Sequence, residues 1–227
     1  MVTLKILLSN IGGLENEGIN MMVKAITQNI NAKFYYHKLT VCRGYEKYGV
    51  KGSWRCWGYD LALDLGGDTF TIYYGNLQFL RHCFHLFKLY LFNQHYIIFS
   101  QTLCNYGFFS GLIAKFFLEK AELILVREPK SLQYLKNKKL YEKWVLPKIY
   151  LTGDIAFLLE NVNYKDYFGD SYHLIIKSKL SGNKGVWNKK RKNNWKFTIF
   201  DSNFNLNCFK ELSKRNVELL LRKINYS

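Results

Sequence analysis

The feature that most constrains this chain is a repeated pattern in its first 160 residues. Short apolar runs end in small or polar residues, and helical spacings follow them. Leu4–Ser9 is a continuous apolar run broken only at Lys5, and Asn10-Ile11-Gly12-Gly13 follows. Such a run suits a strand buried on both faces. From Glu17 to Ile30 the apolar residues Ile19, Met22, Val23, Ile26 and Ile30 recur at helical spacing. Strand, glycine loop and helix make the opening half of a βαβ unit.

The pattern then repeats. Lys33–Lys38 is a candidate second strand, and 42–59 reads as a loop rich in Gly, Arg and Trp. Tyr59–Leu65 is an apolar run ending in Gly66-Gly67-Asp68, and 75–92 is aromatic and helical in spacing. Tyr96–Phe99 is a strand with Ser100-Gln101-Thr102 at its carboxyl end, and Gly107–Lys120 a helix. Glu122–Val126 is a strand ending in Arg127-Glu128, and Pro129 opens a helix through Ser131 and Leu135. Ile149–Thr152 is a last short strand before Gly153-Asp154. About five alternations predict an α/β, Rossmann-like domain with a mostly parallel sheet. Tyr96–Leu118 carries a single charge, Lys115, but Gly107 and several polar residues interrupt it. It reads as strand, loop and helix rather than a membrane span.

Beyond residue 160 the regularity fades. Residues 1–160 hold 19 basic and 12 acidic groups, whereas 161–227 hold 14 and 5. The sequence thus divides into a Rossmann-like domain over 1–160 and a basic, poorly patterned tail over 161–227. Within the tail, Tyr172–Lys177 could be a strand and Phe209–Ile224 an amphipathic helix. A net charge of +16 favours anionic partners: nucleic acid, anionic lipid, sugar nucleotides or phosphorylated substrates.

Five cysteines at irregular spacing, with no CxxC pair, read as reduced thiols of a cytoplasmic protein. His82-Cys83-Phe84-His85 has no second cluster to complete a metal site, so the expectation is no metal and two imidazoles on a half-buried helix face. No general acid or nucleophile can be singled out.

In an open parallel sheet, ligands bind outside the carboxyl ends of the strands. The candidate site therefore gathers Asn10, Gly12, Gly13, Glu17, Gly66, Gly67, Asp68, Ser100, Gln101, Arg127, Ser131 and Asp154. Glycines let backbone amides approach an anion, and the helix after Asn16 points its positive end there. Each βα turn also uses glycine for tight geometry alone. Arg127 could clamp a carboxylate or phosphate, or pair with Asp154 or Glu128 to hold the sheet end; the structural role is slightly favoured. Asp154 could serve only as a cap.

Four stretches resemble the polysaccharide pyruvyl transferase family. They are Asn10-Ile11-Gly12-Gly13-Leu14-Glu15-Asn16-Glu17-Gly18-Ile19, the strand Asp60–Leu65 with Gly66-Gly67-Asp68, Arg127-Glu128-Pro129-Lys130-Ser131-Leu132-Gln133-Tyr134-Leu135, and Asp154-Ile155-Ala156-Phe157-Leu158-Leu159. The resemblance covers residues 1–160. It implies one half of a glycosyltransferase-B-like fold. It also implies transfer of a pyruvyl group from phosphoenolpyruvate, as donor substrate and with no cofactor, to a glycan or sugar-phosphate acceptor of the cell envelope. Such chemistry needs cations around the phosphate and carboxylate, and an acid to protonate the enol carbon. Residues 161–227 do not look like the second α/β domain of the family, so the expectation is a truncated or divergent copy whose activity alone is in question.

A second reading uses the tail. Lys184, Lys189-Lys190-Arg191-Lys192 and Lys196 alternate with Trp187, Trp195 and Phe197, a pattern that could neutralise phosphates and stack on bases. No nucleic-acid-binding motif with fixed spacing accompanies it, so nucleic acid is not the expected partner. The same charge could hold the protein at the anionic inner face of a membrane. Nothing in the sequence fixes the oligomeric state.

Overall fold

A computed structural model describes residues 3–11, 17–38, 44–67, 69–159 and 206–225, with no side chain described at 17, 206–210, 224 or 225. The strands are β1 (Lys5–Ser9), β2 (Lys33–His37), β3 (Lys51–Ser53), β4 (Leu61–Asp64), β5 (Tyr96–Gln101), β6 (Leu123–Val126) and β7 (Ile149–Leu151). The helices are α1 (Glu17–Asn29), α2 (Asn76–Leu91), α3 (Phe108–Lys120), α4 (Pro129–Lys136) and α5 (Leu206–Asn225).

The seven strands among the described residues form one parallel sheet in the order β3-β2-β1-β4-β5-β6-β7. The fold is α/β and Rossmann-like. The chain runs outward from β1 to β3, then crosses back to place β4 on the other side of β1. The β1–β4 junction is therefore the topological switch point, where sheets of this kind hold their ligands.

The apolar runs form strands because both faces of the sheet are covered. Leu7, Ala62, Ile98 and Ile124 pack with Phe79, Leu86, Phe117 and Leu118 of α2 and α3. The alternate residues Ile6, Leu8, Leu63, Ile97 and Leu125 are equally buried. Tyr96–Leu118 resolves into β5, a loop and α3, and among the described residues no helix is long and apolar enough to cross a membrane. The Gly- and Trp-rich stretch read as loop holds a short helical turn, Tyr45–Tyr48, and the edge strand β3. Three residues of strand carry too little hydrophobic pattern to be seen in sequence.

The compact unit differs in one respect from the sequence division. It comprises Met1–Leu159 together with Asn207–Ser227, while Glu160–Leu206 form a second unit. Within the first unit α5 packs on the loop after β7. Asn216 Nδ2 donates to Gly153 O at 2.9 Å, Ser213 Oγ donates to Asp154 O at 2.7 Å, and Leu220 is fully buried. The candidate strand Tyr172–Lys177 and the basic run at 189–192 lie outside the described residues.

Candidate functional site

Asp64 ends β4 beside Ser9 of β1, at the switch point. It is fully buried, which demands compensation for every lone pair. Asn10 follows β1 with φ 54, a left-handed conformation that Asn tolerates, and its Nδ2 donates to Asp64 Oδ1. Gln101, at the end of β5, donates from Nε2 to Asp64 Oδ2 and to Asp64 O, both at 2.6 Å. His82 Nε2 lies 2.8 Å from Asp64 Oδ2.

His82 reaches Asp64 because it shares the buried stripe of α2 with Phe79, Cys83, Leu86 and Leu89. Its ring stacks on Phe70 with centroids 4.7 Å apart. The ring also fills the space of a missing side chain, since a Cβ on Gly66 would lie 2.2 Å from His82 Cε1. The second ring nitrogen, Nδ1, is 2.8 Å from Thr69 Oγ1, which is also 2.7 Å from Gly66 O.

Counting protons along this chain fixes its chemistry. Asn10 and Gln101 can only donate to the Asp64 oxygens, which suits an ionised carboxylate. His82 Nε2–H then donates the third bond. If His82 is neutral, the Thr69 hydroxyl donates to Nδ1. If His82 is protonated, Nδ1–H donates to Thr69 Oγ1 and the hydroxyl turns to Gly66 O. Gly66 O keeps the Thr69 backbone N–H at 2.9 Å in either case. The cluster can therefore hold or release one proton without orphaning a polar group, and the proton's outer end is the half-buried Thr69. Gln101 Oε1 is buried and finds no donor among the described residues. The two carboxyl-side oxygens pin Nε2, so a flip of the amide cannot relieve it. A water or ligand hydroxyl is the partner this oxygen calls for.

The neighbouring titratable groups are quiet near neutrality. Burial pushes the Cys83 thiol up to about 12. Burial lowers His85 to about 4, with Lys88 and His82 adding to the effect. Tyr96 is raised above its ordinary range, again first by burial and then by Asp64.

The other predicted residues are arranged differently. Ser100 is fully buried with φ 53, at the point where β5 slips register against β6. Its Oγ donates to Gly153 O and accepts from Ile155 N, both at 3.3 Å. Arg127 Nη1 donates to Asp154 Oδ2 and Nε to Thr102 Oγ1, each at 3.0 Å. Asp154 Oδ1 accepts from Ala156 N at 3.0 Å, capping the turn Ile155–Leu158. Ser131 Oγ accepts from Leu103 N at 2.9 Å. Gly67 has φ 64 with open space around its Cα. Glu17 opens α1, and Gly12, Gly13 and Asp68 lie outside the described residues.

The structure thus brings Asn10, Gly66 and Gly67 together at the switch point, and gathers Ser100, Arg127, Ser131 and Asp154 toward β5–β7. Gln101, placed at the end of β5 from sequence, joins the switch-point group, whereas Asp64, His82 and Thr69 were missed. The available signals were a carboxylate closing an apolar run and a histidine at a core position of α2. His82 is buried and tied to a carboxylate, not set on a half-buried face.

The fold is thus an α/β protein with a parallel Rossmann-like sheet and a buried carboxylate–histidine cluster at its switch point. The family model for polysaccharide pyruvyl transferase matches residues 18–221, and the chain belongs to that family. The match runs well past residue 160, where the sequence resemblance stops. No curated protein and no solved structure matches the chain.

Proposed function

We propose that the chain takes part in pyruvyl transfer from phosphoenolpyruvate to two hydroxyls of a cell-surface glycan or sugar phosphate. We further assign the acid of that reaction to the Asp64–His82–Thr69 relay. In this reading the donor sits outside the carboxyl ends of β1 and β4. Asn10, Gly66, Gly67 and the positive end of α1 face its anionic groups. An acceptor oxygen bonds to the enol carbon that carries the phosphate. The methylene carbon takes a proton from the Thr69 hydroxyl, which is refilled from His82 Nδ1. Phosphate leaves, and the second acceptor hydroxyl closes the ketal. Of the two hydroxyl protons released, one restores His82 and one leaves with phosphate.

The single observation that carries this reading is the relay itself, in a member of this family and at this sheet position. Its ionised end is fully buried and its proton-carrying end is half-exposed. The test is phosphate release from phosphoenolpyruvate in the presence of a glycan acceptor, beside ligand-observed NMR of donor binding. Thr69→Val should lower kcat by about a hundredfold with little change in KM, and Thr69→Ser should restore it. Equal turnover in the Thr69→Val variant would remove the relay. Absence of both donor binding and turnover in the unaltered protein would remove the function.

A further inference from the structure

We propose that the outer face of α2 and α3 docks on an anionic lipid surface. A helix at the surface of a domain ordinarily turns its polar side outward; these two do not. On α2, the residues Leu77, Leu80, Phe84, Phe87 and Leu91 form one exposed stripe opposite the buried stripe that holds His82. On α3, Phe108, Phe109, Leu112 and Phe116 are exposed, and Phe108 and Phe109 reach 77% and 78%. The two stripes meet where Tyr90 packs edge-on against Phe116, with centroids 5.2 Å apart. Nearby, Phe92 stacks on the exposed Trp57 at 4.5 Å. A face with this many large apolar side chains is far beyond what scattered surface residues produce, and marks a surface that something covers.

The charges on the face select the occupant. The charged residues of α2 are Arg81 and Lys88, with no acidic residue. The one acid of α3, Glu119, is paired with Lys115. Lys88 lies over the Phe84 ring at 4.6 Å, and Lys120 over Tyr90 at 5.6 Å and Phe116 at 6.0 Å. Aromatic rings with ammonium groups resting on them match the boundary between acyl chains and anionic headgroups. A second copy joined through the same face would set Arg81 and Lys88 against their own symmetry mates, since a twofold contact pairs like patches. A bilayer with anionic headgroups meets no such repulsion, and the chain's net charge of +16 draws it there.

The experiment is co-sedimentation of the full chain with phosphatidylcholine vesicles, with and without phosphatidylglycerol. The protein should pellet with the anionic vesicles and remain in solution with the neutral ones. Phe84→Ser combined with Phe108→Ser should weaken partitioning about tenfold or more, as should Lys88→Glu combined with Lys120→Glu. Phe84, Phe108 and Lys120 are exposed and Lys88 is half-buried, so thermal midpoints should stay near that of the unaltered protein. Equal pelleting by the variants would assign binding to another surface, such as the basic run at 189–192, and overturn the proposal. Failure to pellet with either vesicle would overturn it as well. So would a dimer in sedimentation equilibrium that the Phe84→Ser, Phe108→Ser variant dissolves and that excludes lipid.

Discussion

The carboxyl end of β1 and β4 and the carboxyl end of β5 to β7 are built from similar polar residues and do opposite things with them. At β5–β7 the polar groups close on one another. Arg127 joins Thr102 and Asp154, Asp154 caps the turn that follows it, and Ser100 bridges Gly153 and Ile155. The middle of α5 then covers that end through Ser213 and Asn216. At β1–β4 the bonds run in one direction, from a buried carboxylate through His82 to a half-buried hydroxyl, with the acceptor Gln101 Oε1 left over. Polar residues at strand ends are therefore not equivalent. Asn216 Oδ1 is, like Gln101 Oε1, buried with no donor among the described residues, so the difference lies in where each network ends: one closes on itself, and the other runs out to a half-buried hydroxyl.

The largest expected effect comes from removing the buried end of that chain. Asp64→Ala strands the donors of Asn10 and His82 and leaves Gln101 Nε2 only its bond to the backbone oxygen of residue 64. The loss should be about 3–5 kcal/mol of stability, measured by denaturant unfolding. A cost under about 1 kcal/mol would mean the cluster is solvated and the contrast between the two ends is false.

Next comes a pair of adjacent glycines that separates packing from backbone conformation. Gly66→Ala places a methyl 2.2 Å from the His82 ring, which Phe70 and Asp64 hold fixed, so it should cost about 3 kcal/mol and shift the His82 ring resonances. Gly67→Ala meets open space and costs only its left-handed φ of 64, about 1 kcal/mol. Equal costs would place the strain in the turn and release His82 from its supposed dependence on Gly66.

Most of the sheet was legible in sequence because its strands are covered on both faces and read as unbroken apolar runs. Strand β3 was not, being a three-residue edge strand, Lys51–Ser53, in a loop of Gly, Trp and Arg. The site was half legible. Strand ends could be located from the glycines that follow them, which brought in Asn10, Gly66 and Gly67. What sequence could not provide was the direction of the side chains. His82 stands 18 residues from Asp64 and Gln101 stands 37, and only the order β1-β4-β5 brings them together. For Arg127 and Asp154, 27 apart, the slightly favoured sequence reading, a pair holding the sheet end with Asp154 as a cap, is what the structure shows.

A smaller effect is expected at the closed end. Arg127→Ala removes a partly exposed pair with Asp154 and a bond to Thr102, and should cost about 1 kcal/mol, since such pairs keep much of their solvation. Phosphoenolpyruvate binding, read by NMR, should weaken less than it does in Asn10→Ala. A reversed order would show that Arg127 leaves Asp154 to hold the donor, and would move the site toward β6.

The last comparison is a pH dependence that tells two histidines of one helix apart. His82 and His85 are neighbours on α2, yet His82 faces a carboxylate while His85 has lost water without gaining a counter-ion. Burial, with Lys88 and His82 next, lowers His85 from the usual 6.5 to about 4. The unfolded chain therefore binds a proton at this position between pH 6.5 and 4 that the folded protein refuses. Stability rises with pH wherever the unfolded state holds more protons, so the contribution of His85 is fully present above about 6.5 and is lost as pH falls toward 4. His85→Gln should flatten the slope of unfolding free energy against pH over that interval and leave stability at pH 8 within about 0.5 kcal/mol of the original. Arg127→Ala should leave the slope unchanged, since Arg127 keeps its proton throughout. If His85→Gln leaves the slope intact, burial at His85 does not set the acid sensitivity, and the contrast drawn between the two histidines of this helix fails.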